Sequence, residues 1–318
     1  MGLSRLLADA SIGPNVLKIN WSSGLTRAQC DPAAAVETLH PAYAFALKYV
    51  AVRLPMKKLL VPKRQTLLAL PIAVAIAALL NAQATDTYKP VVGQAGKDVV
   101  WVPTPQDLVN TMLDMAKVTP QDVLMDLGSG DGRTVIAAAK RGVRAMGVEY
   151  NPEMVQLSKN AAATERVSDR ATFVQADLFT VDLSRASVIT MFLLPTINLK
   201  LRPALLELKP GTRVVSNTFD MGDWTPDDRK VVGPDECSWC TALLWIVPAK
   251  VHGTWKTAQG DLKIAQSFQM ISGTLGRTPI TGKLTGDQIT FRAASTSYTG
   301  RVNGNTIQGS NWTASRID

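Results

Sequence analysis

From about Val102 the chain alternates between two hydrophobic periods. In "VPTPQDLVNTMLDMAKV", Leu108, Met112 and Met115 fall at i, i+4 and i+7, a helical stripe that faces a core. Thr104 can cap this helix, with Pro105 in its first turn and Asp107 three residues after the cap. Beyond Pro120, short apolar runs alternate with helical stretches. "DVLMDL", "VRAMGVEY", "ATFVQADLF", "ASVITMFLLP", "TRVVSNT" and "TALLWIVPA" read as strands. Thr134–Arg141, stopped by Gly142, reads as a helix. So do a segment from Pro152 to about Arg166, capped by Asn151, and Asn198–Leu208. This alternation predicts an α/β fold, a doubly wound parallel sheet with helices on both faces.

From about Lys250 the helical period disappears and glycine becomes frequent. "GKLTGDQI" (282–289) and "GRVNGNTI" (300–307) are one short pattern used twice, each a strand, a glycine-containing turn and a returning strand. Residues 250–318 therefore read as a small antiparallel β-meander or partial barrel. The segment has no acidic pair, no histidine cluster and no cysteine, so packing or partner recognition is its expected use. His252, at the junction, reads as structural.

The N-terminal region has a different texture. Residues 56–84 combine Lys57, Lys58, Lys63 and Arg64, an uncharged run from Thr66 to Leu80, and Ala82-Gln83-Ala84. A basic stretch, a short apolar stretch and A-x-A make a signal peptide or, uncleaved, a membrane anchor. The apolar run spans roughly 22 Å as a helix, short of a bilayer core of about 30 Å. Because such segments belong at a start, Met56 is the expected start. Residues 1–55 are then a non-native or disordered extension, and 85–98 a linker before a catalytic domain over 99–249. The expected location is the cell envelope, exported or membrane-anchored, with the cytoplasmic face as the alternative.

Charge changes the picture only once it is located. The net charge is +8, but nine of the 34 basic and three of the 26 acidic residues precede Thr85, which leaves +2 on 85–318. The body thus carries no electrostatic footprint for nucleic acid. The three cysteines, Cys30, Cys237 and Cys240, form no disulfide framework or zinc set. "CSWC" reads as two small apolar residues beside a strand, or as a local disulfide in an exported chain. No metal site is expected.

The candidate chemistry lies in "DLGSGDGR", a glycine-rich turn from the first strand into a helix. Three strand ends carry carboxylates: Asp126 after the first, Glu149 after the second and Asp177 after the third. In doubly wound sheets ligands bind at these carboxyl ends. Gly128, Gly130 and Gly132 do not have G-x-G-x-x-G spacing, since Arg133 stands where the third glycine would be. Asp126 would repel a pyrophosphate and suits an ammonium group. Glu149 can grip both ribose hydroxyls, and Asp177 can accept from an adenine amine. An adenosine bearing an amino acid and no phosphate, S-adenosylmethionine, satisfies all three.

"DLGSGDGR…GVEYNP…QADLF" resembles the class I, Rossmann-like S-adenosylmethionine-dependent methyltransferases. With "WVPTPQDLV", "FLLPTIN" and "LKPGTRVVSNTFDMGDW" the chain is similar to a narrower branch over about Val99–Ala249. That branch comprises the mitochondrial lysine methyltransferases of the ATP synthase c-subunit and the adenine nucleotide translocase, with their bacterial relatives. The resemblance implies that Asp126, Gly128 and Gly130 hold the methionine moiety, that Glu149 binds ribose with Asn151 nearby, and that Asp177 and Leu178 bind adenine. It implies a segment, Val102–Pro105, folded over the cofactor. The methyl acceptor would lie near Thr104, Leu194, Pro195 and Asn198. The expected partner is a protein lysine side chain, with membrane association through 66–84. Asp131 and Arg133 could simply cap and pair at the helix start, and no side chain is assigned as a catalytic acid or base. Two alternatives remain open: methylation of a small molecule, and a non-enzymatic envelope protein that retains the fold.

Overall fold

The computed structural model describes residues 88–233 and 239–317. The start at Met56, the apolar run 66–80, His40, Cys30 and Cys237 lie outside them. The first assembly is a seven-stranded sheet of order β3-β2-β1-β4-β5-β7-β6. Its strands are β1 (Val123–Leu127), β2 (Arg144–Glu149), β3 (Ala171–Gln175), β4 (Val188–Met191), β5 (Arg213–Asn217), β6 (Asp228–Val231) and β7 (Thr241–Ile246). The strands from β3 to β5 pair in parallel, while β7 runs antiparallel to both β5 and β6. Chain order reverses between β1 and β4, and the crevice at the end of β1 is where such sheets bind ligands.

Successive residues of each strand enter different cores. Leu124, Val188, Val215 and Leu244 join a cluster with helices α1 (Gln106–Met115), α2 (Arg133–Lys140) and α3 (Pro152–Thr164). Met125, Ile189, Val214 and Leu243 join a second cluster with α4 (Pro195–Leu206) and Trp224. The two clusters are the two faces of one pleated sheet. Leu108 and Met112 are buried as their spacing predicts, with Met115 packed at the edge. Asn151 caps α3, accepting from the amides of Glu153 at 2.8 Å and Met154 at 3.4 Å.

Three expectations change. Thr104 does not cap α1: Pro105 takes that position without a side-chain bond, and the Thr104 hydroxyl accepts from Asn217 Nδ2 at 3.3 Å. Helix α4 opens at Pro195 rather than Asn198, since proline suits a first helical turn. The exposed edge strand β6, "DRKV", carries no apolar alternation, so nothing in the sequence announced it.

The second assembly is a closed eight-stranded antiparallel barrel of β8 (Gly253–Thr257), β9 (Gly260–Ser267), β10 (Met270–Leu275), β11 (Thr278–Thr285), β12 (Gln288–Ala293), β13 (Thr296–Asn303), β14 (Thr306–Gly309) and β15 (Thr313–Arg316). Strands follow one another around the wall, and β15 pairs with β8 to remove both edges. The interior is filled by side chains. Phe291 stacks on Tyr298 at 4.9 Å, and both meet Trp312 edge-on at 5.5 and 5.7 Å. The repeated pattern builds two hairpins, with Gly286 and Gly304 at left-handed φ of 62° and 55°. The same offset taken once more toward the N-terminus lands on the β9–β10 hairpin (264–271), an equivalent turn that keeps only the final isoleucine of the pattern, with Phe268 in the glycine position at φ 52°. Among the described residues no helix is long and apolar enough to cross a membrane.

Candidate active site

The turn after β1 sets the geometry. Gly128, Gly130 and Gly132 have φ of 74°, 54° and 79°, a backbone that L side chains rarely adopt. At Gly130 space is as restrictive as conformation: a Cβ would stand 2.6 Å from the Trp101 ring nitrogen. The loop is tied to β2, since the amides of Gly128 and Ser129 both donate to the Val148 carbonyl. Glu149 completes the tie. Its Oε2 accepts from the Gly130 amide and its Oε1 from the Asn151 amide, both at 2.9 Å. Each oxygen keeps a further lone pair toward the cleft, as a ribose diol needs.

Asp126 is buried at the foot of this cleft and accepts from the hydroxyl of Thr190, its register neighbour on β4, at 2.6 Å. Burial pushes its carboxyl up to about 7, with the negative charges of Asp131 and Glu149 adding to the shift and the Thr190 bond opposing it. A ligand ammonium would supply the missing counter-charge; a phosphate would aggravate the strain. Arg133 does not provide it. It pairs with Asp131 at 2.6 Å and donates to the Thr104 carbonyl at 3.0 Å, which fastens the start of α2 to the segment before α1.

That segment is more than a linker. The Gly93 amide donates to the Trp101 carbonyl, the Trp101 amide donates to the Gln94 carbonyl, and Ala95 bridges Val100. This small hairpin lines the cleft from Gln94 to Thr104, with Val102, Pro103 and Thr104 among the lining residues. From it Lys97 reaches Asp177 at 2.8 Å, and its ammonium lies 5.2 Å from the Tyr150 ring centre. The bond to Asp177 raises the Lys97 pKa and, with a second bond from the Phe179 amide, lowers that of Asp177. The Asp177 end of the cleft is thus closed by an ion pair from the strap. Asp126, Gly128, Gly130, Glu149, Asn151, Asp177 and Leu178 all line this one cleft, which encloses about 1050 Å³ with its open mouth included. The Asn151 side chain is committed to capping α3.

The acceptor candidates separate. Leu194, 42% exposed, lines a second chamber with Phe192, Leu193, Phe219 and Trp239. Phe192 stacks on Phe219 at 5.9 Å and meets Trp239 at 6.4 Å. Phe192 and Leu193 also line the cofactor cleft, so the two spaces meet where β4 ends. Thr104 belongs to the cofactor side. Pro195 opens α4 and lines neither space. Asn198 is fully buried and does not reach either: its Nδ2 donates to the carbonyls of Phe219 and Asp220 at 3.1 Å each. Sequence reasoning missed Lys97, Trp101, Phe192, Phe219 and Trp239. Phe192, Trp101 and Phe219 stand inside the quoted "FLLPTIN", "WVPTPQDLV" and "LKPGTRVVSNTFDMGDW" and could have been found; Lys97 and Trp239 reach the site through folding alone. Cys240, next to Trp239, is disulfide-bonded.

A reversed sheet of this strand order, with three strand-end carboxylates and a glycine turn around one adenosine-sized cleft, defines a Rossmann-like S-adenosylmethionine-dependent methyltransferase. A family model described as the ANTKMT methyltransferase domain matches residues 126–228. The chain is 46% identical over 133 residues to a protein-lysine N-methyltransferase of Saccharolobus islandicus, covering 41% of this chain and 83% of that one. The protein belongs to this methyltransferase family and is an enzyme that uses S-adenosylmethionine. It is 44% identical over 105 residues to the human ATP synthase c-subunit lysine N-methyltransferase, and spans 45% of that relative's length. A solved structure titled an RNA methyltransferase from Salinibacter ruber, in complex with S-adenosylhomocysteine, shares 46% identity with a TM-score of 0.44. That match covers 47% of this chain and 96% of the other.

Proposed function

We propose that the protein transfers the methyl group of S-adenosylmethionine to a lysine side-chain amine of a protein. One observation carries the reading: an apolar, aromatic chamber, walled by Phe192, Leu193, Leu194, Phe219 and Trp239, opens onto the cofactor cleft where β4 ends. Such walls suit the aliphatic stem of lysine and strip water from its amine, which favours the neutral, nucleophilic form. Asp98, the carboxylate among the residues lining this chamber, is paired with Lys97 at 3.3 Å, so the walls carry little net charge and apolar contact is what would select the side chain. The lysine methyltransferases among the relatives support the same class of acceptor.

When bound, S-adenosylmethionine supplies a methyl group on a sulfonium, already a good leaving group. The chain's own work is then positional. Asp126 holds the amino-acid ammonium, Glu149 the ribose and Asp177 with Leu178 the adenine, while the aromatic walls direct the amine along the line of displacement. The lysine amine, kept neutral by the apolar walls, would be the nucleophile, and its surplus proton would pass to solvent. No side chain is required as a general base. The same proposal places the enzyme at the cell envelope, because the basic and apolar segment 56–84 would bring it to a bilayer.

The test is transfer of labelled methyl groups into extracts of cells lacking the gene, followed by hydrolysis of the labelled material. Label recovered as methyl-lysine, and absent with Asp126→Ala, supports the reading. Label in RNA or in a small molecule overturns it.

A further inference from the structure

The barrel meets the sheet through two of its three equivalent hairpin tips, at Gly286 and at Phe268. At Gly286 the fit is backbone to backbone: a Cβ there would stand 2.9 Å from Gly211 Cα, and the Gly286 carbonyl accepts from the Ala249 amide at 2.8 Å. At Gly304 nothing lies within 4 Å. The third tip departs from the pattern, because Phe268 holds the left-handed conformation that the other two copies assign to glycine. For a residue with a Cβ this conformation is strained. The ring projects into the other assembly. It stacks on the buried Trp224 at 6.0 Å and 14°, and the Arg202 guanidinium lies 5.3 Å from its centre. Its neighbour Gln269, also buried, donates from Nε2 to the Thr225 carbonyl at 2.7 Å.

These contacts converge on the loop that follows β5. Helix α4 grips that loop from one side: Asn198 holds the carbonyls of Phe219 and Asp220, and one turn on Arg202 donates to the Met221 carbonyl at 2.7 Å. The barrel tip grips it from the other, at Trp224 and Thr225. At the head of the loop stands Phe219, whose ring is a wall of the second chamber. We propose that Phe268 is a positioning residue for the methyl acceptor. Through Arg202 and Trp224 the barrel fixes the loop that carries Phe219, and so completes the acceptor chamber. This rests on reading that chamber as the acceptor site. The match to the family model ends at residue 228, before β7 and the barrel.

The test uses the full chain with Phe268→Gly, which restores the residue of the other two repeats and relieves the turn. Losing one aromatic pair and one cation–π contact is expected to raise amide hydrogen exchange over 218–225 about tenfold. Exchange over β1 to β4 and the affinity for S-adenosylmethionine stay within about twofold. With extract of the deletion strain as methyl acceptor, the apparent KM rises about tenfold while kcat changes little, and Phe268→Tyr restores it. Phe268→Leu, which keeps apolar bulk, gives an intermediate exchange rate and decides the matter if the glycine variant fails to fold. Unchanged exchange over 218–225 in either variant overturns the coupling. Faster exchange with an unchanged acceptor KM overturns the positioning role. If the wild type transfers no methyl to lysine, the lysine reading fails while the exchange experiment still judges the coupling.

Discussion

The central strands of the sheet are buried on both faces, the strands of the barrel on one, and only the sheet carries a site. The barrel pairs every strand with two neighbours and fills its centre with Phe291, Tyr298 and Trp312. No strand end is left over to hold a ligand, and chemistry can reach the rest of the molecule only through the turns. The sheet reverses its strand order between β1 and β4, so a crevice opens that no helix covers. There glycines, a buried carboxylate and a strap come together. Closure gives the barrel rigidity; incomplete closure gives the sheet its function.

That contrast can be broken from the barrel side first. Phe291→Ala removes a buried ring and is expected to cost about 3–5 kcal/mol of barrel stability. Calorimetry of the same variant should show S-adenosylmethionine affinity within about twofold of wild type. On the sheet side, Glu149→Ala should weaken the cofactor by about 2–4 kcal/mol, because it removes the ribose grip and frees the Gly130 amide together. Calorimetric affinity unchanged by that substitution would falsify the ribose assignment.

Asp126→Asn should weaken binding about 100-fold by removing the partner of the ligand ammonium. The pH behaviour sharpens this. In the free enzyme the Asp126 carboxyl sits at about 7, above its unfolded value. Its contribution to stability is therefore full below the unfolded pKa and is lost as pH rises through about 7. Free Asp126→Asn should melt above wild type at pH 8 and not at pH 4. Because the cation binds the ionised form, wild-type affinity should fall about tenfold for each pH unit below 7, and that slope should vanish in the variant. The smallest effect is at the strap. Lys97→Met removes an exposed ion pair that competes for Asp177, so cofactor affinity should rise by at most about fivefold, less at high salt.

Much of the sheet was legible because each of its elements carries a local signal. Asn151-Pro152 marks a helix start, and the spacing of Leu108 and Met112 marks a buried face. Three carboxylates at three strand ends mark a cleft once the strands are assumed parallel. The acceptor region was legible only in part. Leu194 lines the chamber, but Asn198 turned out to be a buried clamp, because α4 begins three residues earlier than its apolar pattern suggested. In the tail, the repeated octapeptide announced hairpins. The equivalent third hairpin was hidden, since 264–271 keeps only Ile271 of the pattern and Phe268 stands in the glycine position.

The sequence by itself therefore determined the order of the sheet's strands and helices apart from β6, the glycine turn and the carboxylates that line the cleft. Each of these depends on residues a few positions apart, where backbone preference and side-chain period act directly. Tertiary structure alone decided that the tail closes into a barrel, that Lys97 comes from the strap to Asp177, and that Phe192, Phe219 and Trp239 share one chamber. It also decided that Phe268 packs on Trp224. These are meetings between residues far apart in the chain, each side chain compatible with many partners. What selects one partner is the packing of the whole fold, which buries apolar surface and pairs buried polar groups together.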